Sequence, residues 1–280
     1  MGFLNIDGNL LPDDQPVIHS YNRSFRFGDG LFETIKVING QACFLNQHIN
    51  RMREGLSKLQ ISLNERFDDF YIKNTIDELL EKNQIQKGAK ARITVFRRGG
   101  GQYTPLDNSG SILIETETID VNEYDLNKEG YIVDLYERHT SPSDFLSSIK
   151  SNSALFSVIA ALYIQSKELD EAILLNEMGC ISEGISTNIF IVFNSVLYTP
   201  SDDQGCLPGI LRDQLITIAK KNRIEVQECQ LNPSVLLKAD ELLFTNAVSG
   251  IRWALSYRNK RFYNNMAKKL VELLNKEVAN

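Results

Sequence analysis

The stretch from Glu171 to Phe193, EAILLNEMGCISEGISTNIFIVF, constrains the fold more than any other part of the chain. Asn176 and Gly179 supply a turn signal between the apolar run AILL and the short run that follows, and NIFIVF comes after them. Apolar runs bounded by turn residues predict buried strands, which are joined here as a hairpin. One carboxylate, Glu183, is therefore expected at the far end of this hairpin, where a charged group needs a partner.

The residues around Glu183 are small or polar: Ser182, Gly184, Ser186, Thr187 and Asn188. Small side chains leave room for a flat ring, and hydroxyl and amide groups can bind a phosphate or orient a ligand. The segment therefore predicts a cofactor site.

The run GCISEGISTNIF, followed by a short strand and Thr199-Pro200, resembles the signature of class IV aminotransferases. The resemblance extends from Phe25 to Ala254, with the motifs in the family's order. It implies a two-domain fold-type IV enzyme, similar to D-amino acid aminotransferase, that combines α+β and α/β features and depends on pyridoxal 5'-phosphate (PLP). Branched-chain aminotransferases, D-amino acid aminotransferases and aminodeoxychorismate lyases belong to this family.

Composition excludes several other classes of protein. The 280-residue chain is 42% hydrophobic and 24% charged, which is ordinary for a globular enzyme. A net charge of -6 without a basic cluster argues against nucleic-acid binding. The start of the chain has no export signal and no apolar run approaches the length of a membrane span, so we expect a cytoplasmic protein with no membrane association. The four cysteines and three histidines are too scattered for a metal site, and we expect reduced thiols.

Turn signals and periodicity divide the chain into two parts. Asp7-Gly8-Asn9 and Ile38-Asn39-Gly40 predict hairpins, and Asn46 is expected to cap a helix that carries apolar residues at helical spacing. A second helix over Phe67–Leu80 and strands over Ala89–Phe96 and Ser111–Thr118 complete a small α+β domain, residues 1–119. A polar linker over 120–128 precedes a larger cofactor-binding domain, residues 129–280.

The larger domain has three predicted helices. They extend from about Ser153 to Lys167, from Ile210 to Lys221 and from Asn264 to Lys276. Strands are expected from Tyr131 onward, in the segment around Glu183, and near Ile224 and Leu242.

The resemblance assigns the two central catalytic groups. Lys150, in SSIKSNSALFSV, lies 33 residues before Glu183, which is close to the family's spacing of lysine and ring carboxylate. Lys150 would bond to the cofactor's aldehyde and transfer a proton at the substrate Cα, a role that burial promotes by disfavouring the ammonium form. Glu183 would keep the pyridine nitrogen protonated.

Phosphate binding is assigned to three places. Arg51, in the H-x-x-R-M run from His48 to Met52, matches the family's phosphate arginine. Pro208 and Gly209 precede a helix whose first N–H groups can bind phosphate. Ile210 and Leu211 supply those N–H groups. The third place is the run Thr245, Asn246 and Ala247. Ala247 replaces a threonine of many relatives, and Thr245 or Asn246 could compensate.

Substrate binding is assigned to Phe32, Arg97 and Arg98. Phe32 occupies the place of an aromatic wall, and one of the two arginines is expected to bind a substrate carboxylate. The glycine loop after Arg98 resembles the R-G-x-G-x-R-G-Y run of the lyases, but it is shorter and has Gln102 where an arginine is expected. The tyrosine that branched-chain enzymes place soon after the lysine is missing.

The leading hypothesis is an aminotransferase that transfers an amino group between an amino acid, with branched-chain amino acids among the candidates, and a 2-oxo acid. The first alternative is 4-amino-4-deoxychorismate lyase, which releases pyruvate and 4-aminobenzoate. A more distant alternative is a non-catalytic, ligand-binding homologue. The resemblance also implies a homodimer.

Overall fold

A computed structural model of the chain describes residues 2–279, which form two compact units. The first unit comprises the chain up to Glu123 together with Ile149–Ala154, and the second comprises Tyr124–Ser148 and the chain from Leu155 onward. The first boundary falls inside the predicted linker. The segment that contains Lys150 belongs to the first unit, whereas the sequence-based division assigned it to the larger domain.

The first unit is a six-stranded sheet with helices. Its elements are β1 (Phe3–Ile6), β2 (Asn9–Pro12), α1 (Arg23–Phe27), β3 (Gly30–Ile38), β4 (Gln41–Ala42), α2 (Leu45–Leu59), α3 (Asp69–Lys82), β5 (Ala89–Arg97) and β6 (Gly110–Thr118). The strand order is β2-β1-β6-β5-β3-β4, and every pairing is antiparallel. Alternate residues of β3 and β5 pack with α2 and α3 in one apolar core.

Both predicted hairpin turns are confirmed. Asp7 and Gly8 join β1 to β2 with φ of 53° and 89°, and Asn39 and Gly40 join β3 to β4 with φ of 51° and 74°. Positive φ at both central residues is the property of tight hairpin turns that favours Asn-Gly and Asp-Gly.

The predicted cap of α2 is wrong. The helix begins at Leu45, so Asn46 lies inside its first turn, and the N-cap is Phe44 in the left-handed region without a side-chain cap. Only a two-residue turn, Cys43 and Phe44, separates β4 from α2, so the helix starts before position 46 and Asn46 cannot act as its cap. In contrast, Asp68 caps α3 by accepting a hydrogen bond from the Tyr71 backbone N–H at 2.7 Å.

The second unit is built on a nine-stranded mixed sheet. Its elements are β7 (Tyr131–Ser141), α4 (Leu155–Lys167), β8 (Glu171–Asn176), β9 (Ile181–Gly184), β10 (Asn188–Phe193), β11 (Val196–Pro200), α5 (Ile210–Lys221), β12 (Val226–Cys229), β13 (Glu241–Asn246), β14 (Gly250–Tyr257), β15 (Lys260–Arg261) and α6 (Asn265–Val278). The order is β12-β11-β10-β13-β14-β7-β8-β9, with β15 paired to β14. Three pairs are parallel: β11 with β12, β14 with β7, and β7 with β8.

The predicted elements of this unit are largely confirmed. The helix α5 has the predicted bounds, and α4 and α6 begin within two residues of their predicted starts. The run NIFIVF forms β10 and is buried at all but its last residue. Within the described residues, no helix is both long and apolar enough to span a membrane, and no group of side chains is arranged to hold a metal ion.

Candidate active site

The backbone of Lys150 pairs with the start of β3. The carbonyl oxygen of Lys150 accepts a hydrogen bond from the Phe32 N–H at 2.9 Å, and Leu31 and Ser151 form an antiparallel bridge. The Asn152 N–H donates to the Gly30 carbonyl oxygen at 2.9 Å. These backbone hydrogen bonds therefore hold Lys150 against the start of β3, next to an isolated β-bridge at Ser151.

The side chains of Lys150 and Phe32 are in contact. Lys150 Nζ lies 4.7 Å from the centroid of the Phe32 ring, and Arg92 Cζ lies 3.9 Å from the same centroid. Both distances fall in the range of cation–π contacts. Burial lowers the pKa of Arg92, and the charge of Glu115 opposes this effect. An amine and a guanidinium thus contact the same aromatic ring. This arrangement suits a substrate with an amino group and a carboxylate group.

The next residue of β3, Glu33, forms a network of charged and polar contacts with His48 and Arg51. Glu33 accepts two hydrogen bonds from Arg51, from Nε to Oε1 at 2.8 Å and from Nη2 to Oε2 at 2.7 Å. Its Oε2 also lies 2.7 Å from His48 Nδ1. Glu33 and His48 are each 1% exposed. The bidentate contact fixes the plane of the Arg51 guanidinium. The network therefore orients the arginine that is predicted to bind phosphate.

The ionisation states in this network follow from its contacts. Burial raises the pKa of Glu33, but the hydrogen bonds from His48 and Arg51 and the positive charge of Arg51 outweigh burial and lower that pKa to about 2. Burial lowers the pKa of His48, although its contact with Glu33 opposes this shift. Glu33 is therefore ionised at neutral pH, and a neutral His48 donates from Nδ1 to it. Within the described part of the chain, His48 Nε2 has no hydrogen-bond partner.

The two predicted substrate arginines lie elsewhere in the first unit. Arg97 is 7% exposed, and all three of its guanidinium nitrogens are engaged. Their partners are the Asp29 carboxylate, the Asn108 side chain and the backbone carbonyls of Leu59 and Gln60. This arginine ties loops to the sheet, and these contacts make it a poor candidate for a substrate ligand.

Arg98 is half-exposed and pairs with Asp7, while its Nε donates to Ser111 Oγ at 2.7 Å. It lines a cleft of about 380 Å³ whose lining includes neither Phe32 nor Lys150. Phe32 thus contacts Lys150, whereas the contacts of Arg98 are with Asp7 and Ser111.

In the second unit, Glu183 and Asn188 both bind the backbone of Leu207. Glu183 Oε2 accepts a hydrogen bond from the Leu207 N–H at 2.9 Å, and Asn188 Nδ2 donates to the Leu207 carbonyl oxygen at 2.7 Å. A Cβ atom added to Gly209 would lie 1.8 Å from Asn188 Oδ1, so the chain approaches Asn188 as only a glycine permits. This clamp fixes the segment that leads into α5 beside the predicted ring carboxylate.

The N-terminus of α5 has the properties of a phosphate site. Its N-cap, Gly209, offers no side-chain hydrogen bond to the first N–H groups, which include those of Ile210 and Leu211. Thr245 pairs directly with Asn188 in the sheet, so both side chains lie on the same face. Thr245 is 2% exposed, and its Oγ1 has no hydrogen-bond partner in the described structure. A buried, unused hydroxyl and an uncapped helix start fit a bound phosphate.

Asn246 and Ala247, the other two residues of the predicted third phosphate contact, make local hydrogen bonds. Asn246 is occupied locally, because its Nδ2 donates to the Ser186 carbonyl oxygen at 2.7 Å and its Oδ1 accepts from the Val248 N–H at 2.9 Å. The Ala247 carbonyl oxygen accepts from the Tyr124 hydroxyl at 2.9 Å. Of the two residues that could replace the missing threonine at 247, Thr245 is therefore the better candidate.

Sequence reasoning missed Glu33 and Arg92. A glutamate inside the strand-like run LFETIKV was a usable signal, because a buried carboxylate in a strand requires a cation. Arg92 gave no comparable signal, since a single arginine in a strand is common and its contact with Phe32 depends on the register of β3 and β5.

Comparison with known proteins gives a consistent result. The family described as amino-transferase class IV matches residues 30–257. A putative branched-chain-amino-acid aminotransferase from Methanocaldococcus jannaschii is 30% identical over 249 residues, covering 88% of this chain and 84% of the relative. An aminodeoxychorismate lyase from Bacillus subtilis is 29% identical over 247 residues, covering 87% of this chain and 82% of the relative.

A solved structure shares the fold over the whole chain. The branched-chain aminotransferase from the archaeon Thermoproteus uzoniensis, crystallised with norvaline, superimposes with a TM-score of 0.89 at 23% identity, covering 99% of this chain and 94% of that one. This likeness confirms the fold-type IV prediction.

The chain belongs to the class IV aminotransferase family. It is a PLP-dependent enzyme, and the non-catalytic alternative is not retained. The uncapped start of α5 and the unused Thr245 hydroxyl are the features of this chain that suit the phosphate of that cofactor.

Proposed function

We propose that this enzyme transfers an amino group between an amino acid and a 2-oxo acid, with Lys150 as its catalytic residue. The observation that carries the proposal is the contact of Lys150 Nζ with the Phe32 ring, which Arg92 also contacts. Amino acids and 2-oxo acids both carry a carboxylate beside the reacting carbon, and a guanidinium beside the reacting amine suits that shared group.

Each candidate residue has a distinct role in this proposal. When bound, PLP makes the amine-bearing carbon of an amino acid acidic by withdrawing electrons into its ring. Lys150 Nζ removes and returns the proton at that carbon. Glu183 holds a proton at the pyridine nitrogen. The family resemblance supports phosphate-binding roles for Arg51 in the first unit, and for the N–H groups at the start of α5 and the Thr245 hydroxyl in the second.

Arg92 replaces Arg97 as the proposed ligand of the substrate carboxylate. Arg92→Gln should raise the KM of the amino acid about tenfold with a smaller change in kcat, because a charge-assisted hydrogen bond to a bound group is lost. Steady-state kinetics over a range of amino acid concentrations measures both constants. Arg98→Gln serves as the control and should leave KM within about twofold. An unchanged KM in Arg92→Gln would remove this role.

Aminodeoxychorismate lyase remains the second candidate, because the glycine loop after Arg98 resembles that branch and a lyase is among the relatives. The test is to incubate the PLP-loaded protein with a panel of L- and D-amino acids and 2-oxoglutarate, and separately with aminodeoxychorismate. Glutamate formation from the first mixture supports amino transfer. Pyruvate and 4-aminobenzoate from the second, without glutamate from the first, would replace it with the lyase.

We also propose that the enzyme acts as a homodimer, as the family resemblance implies. Support comes from an exposed apolar face on α4, which is formed by Leu155, Val158, Ile159 and Leu162, each at least 41% exposed. A monomer rarely leaves such a continuous apolar face in water. Light scattering at several protein concentrations measures the mass directly.

A further inference from the structure

Glu171, the first residue of β8, is a buried carboxylate. It is 6% exposed, and within residues 2–279 no ion pair to it is found. Three hydrogen-bond donors point at its carboxylate instead. Oε1 accepts from the Ala172 N–H at 3.0 Å and from the Ile185 N–H at 3.1 Å, and Oε2 accepts from Thr187 Oγ1 at 3.1 Å. Two of these donors belong to the turn between β9 and β10.

That turn, Gly184–Thr187, is closely packed on the Glu171 carboxylate. The Gly184 N–H donates to the Thr187 carbonyl oxygen at 2.7 Å. A Cβ atom added to Gly184 would lie 2.1 Å from Thr187 Oγ1 and 3.2 Å from the Glu171 carboxyl carbon. The Asn246 side chain holds the turn from its other side through the Ser186 carbonyl oxygen. The shape of the turn therefore depends on the contacts of Glu171.

The two hydroxyl groups of the turn, those of Ser186 and Thr187, differ in their surroundings. The Thr187 hydroxyl donates its hydrogen to Glu171 Oε2, so this hydrogen is not available to a ligand. Ser186 is exposed. Glu171 thus leaves Ser186 as the hydroxyl that the turn presents outward.

The Glu171 carboxyl ionises less readily in the folded protein than in the unfolded chain. Burial raises the pKa of Glu171, although the backbone N–H groups of Ile185 and Ala172 and the Thr187 hydroxyl oppose this. A carboxyl whose pKa is higher in the folded than in the unfolded state destabilises the fold when it ionises. A neutral side chain of the same shape would make the same contacts, so the shape of the turn depends on the hydrogen bonds of Glu171 and not on its charge.

We infer that Glu171 is a positioning residue of the cofactor site: it holds the turn Gly184–Thr187 so that Ser186 meets the bound PLP beside Glu183. This inference rests on the proposed role of the Glu183 region in cofactor binding. Glu171 itself touches neither cofactor nor substrate and acts only through the turn.

The experiment compares PLP binding by four proteins. The dissociation constant of PLP is measured by titrating cofactor-free protein and following the visible absorbance and circular dichroism of the bound cofactor. Melting temperature without cofactor reports the fold. The proteins are the unmodified enzyme, Glu171→Ala, Glu171→Gln and Glu241→Ala. Glu241 is a matched control, because it is also a buried carboxylate that accepts two backbone N–H groups, those of Met266 and Ala267 at the start of α6.

Glu171→Ala should weaken PLP binding about tenfold and change the circular dichroism of the bound cofactor, because the turn loses its two hydrogen bonds to the carboxylate. Glu171→Gln should stay within about threefold of the unmodified enzyme, since its amide oxygen can accept both N–H groups and its amide nitrogen can donate to Thr187 Oγ1. Glu241→Ala should lower the melting temperature but leave the dissociation constant within about twofold.

An unchanged dissociation constant and spectrum in Glu171→Ala would overturn the inference, and so would a Glu171→Gln variant that binds as weakly as Glu171→Ala. If Glu171→Ala does not fold, Thr187→Val decides the question, because it removes only the contact to Oε2. It should weaken binding about threefold, and an unchanged constant overturns the inference. If the unmodified enzyme itself fails to bind PLP, the proposed function fails first, which separates that failure from one confined to Glu171.

Discussion

Replacing Lys150 with alanine should abolish covalent attachment of PLP and reduce amino transfer at least about a thousandfold. The Lys150 amine is the group proposed both to bond to the cofactor's aldehyde and to move the proton at the substrate Cα. Its contact with Phe32 places it on an aromatic surface held by the backbone of β3. Loss of the amine therefore removes two functions together, while the backbone pairing at Lys150 does not depend on its side chain.

Borohydride reduction of the PLP-loaded enzyme, followed by digestion and mass spectrometry, identifies the modified lysine. Lys150→Arg distinguishes the effect of losing the positive charge from the effect of losing the amine, because it keeps a cation near Phe32 but has no amine to bond to the cofactor. Lys90→Ala is the control, since Lys90 is a partly exposed lysine paired with Glu117 in the same unit. Cofactor found on any other lysine would show that the site assignment is wrong.

Replacing Glu33 with alanine should destabilise the protein by about 3 kcal/mol at neutral pH and weaken PLP binding. The change removes the carboxylate that Arg51 and His48 share, and breaking a largely buried ion pair by removing one member is costly. It also releases the Arg51 guanidinium from its bidentate contact, so a phosphate would meet a less ordered group. Urea unfolding and PLP titration measure the two effects.

The effect of Glu33 should depend on pH in one direction. Its pKa falls from 4.5 to about 2 on folding, so the folded protein binds fewer protons there than the unfolded chain does. The stabilisation by Glu33 is therefore complete above pH 4.5 and is lost as the pH falls toward 2. The difference in unfolding free energy between the unmodified protein and Glu33→Gln should shrink over that window. Glu117→Gln, a change at an exposed carboxylate, should show no comparable loss. A difference that stays constant from about pH 6 to about pH 3 would contradict this account.

Local signals in the sequence were sufficient for much of the fold. Asn39-Gly40 predicted its hairpin because few residues adopt the positive φ that the turn requires. Pro208-Gly209 marked the start of α5, since proline and glycine interrupt the preceding structure in a recognisable way. The cap of α2 failed because Phe44, a residue with no such preference, occupies the left-handed position.

The candidate site was less predictable because its contacts join distant residues. Family resemblance supplied Lys150, Arg51 and Glu183, but no local pattern indicates that Glu33 would bind Arg51 or that Leu207 would bind Glu183. Arg97 shows the opposite case. Its position before a glycine loop suggested an available guanidinium, yet distant carbonyl groups and Asp29 saturate it.

The pairing of Lys150 with β3 limits how this enzyme can be divided or recombined. The six residues Ile149–Ala154 leave the second unit only long enough to complete the edge of the first, and the chain then returns. A gene fragment that ends at Glu123 would encode the sheet without its lysine, and a chimera joined there would combine a lysine segment and a β3 edge from different parents. Exchange between relatives should succeed only when the donor supplies both segments, so these two stretches of sequence are expected to be inherited together.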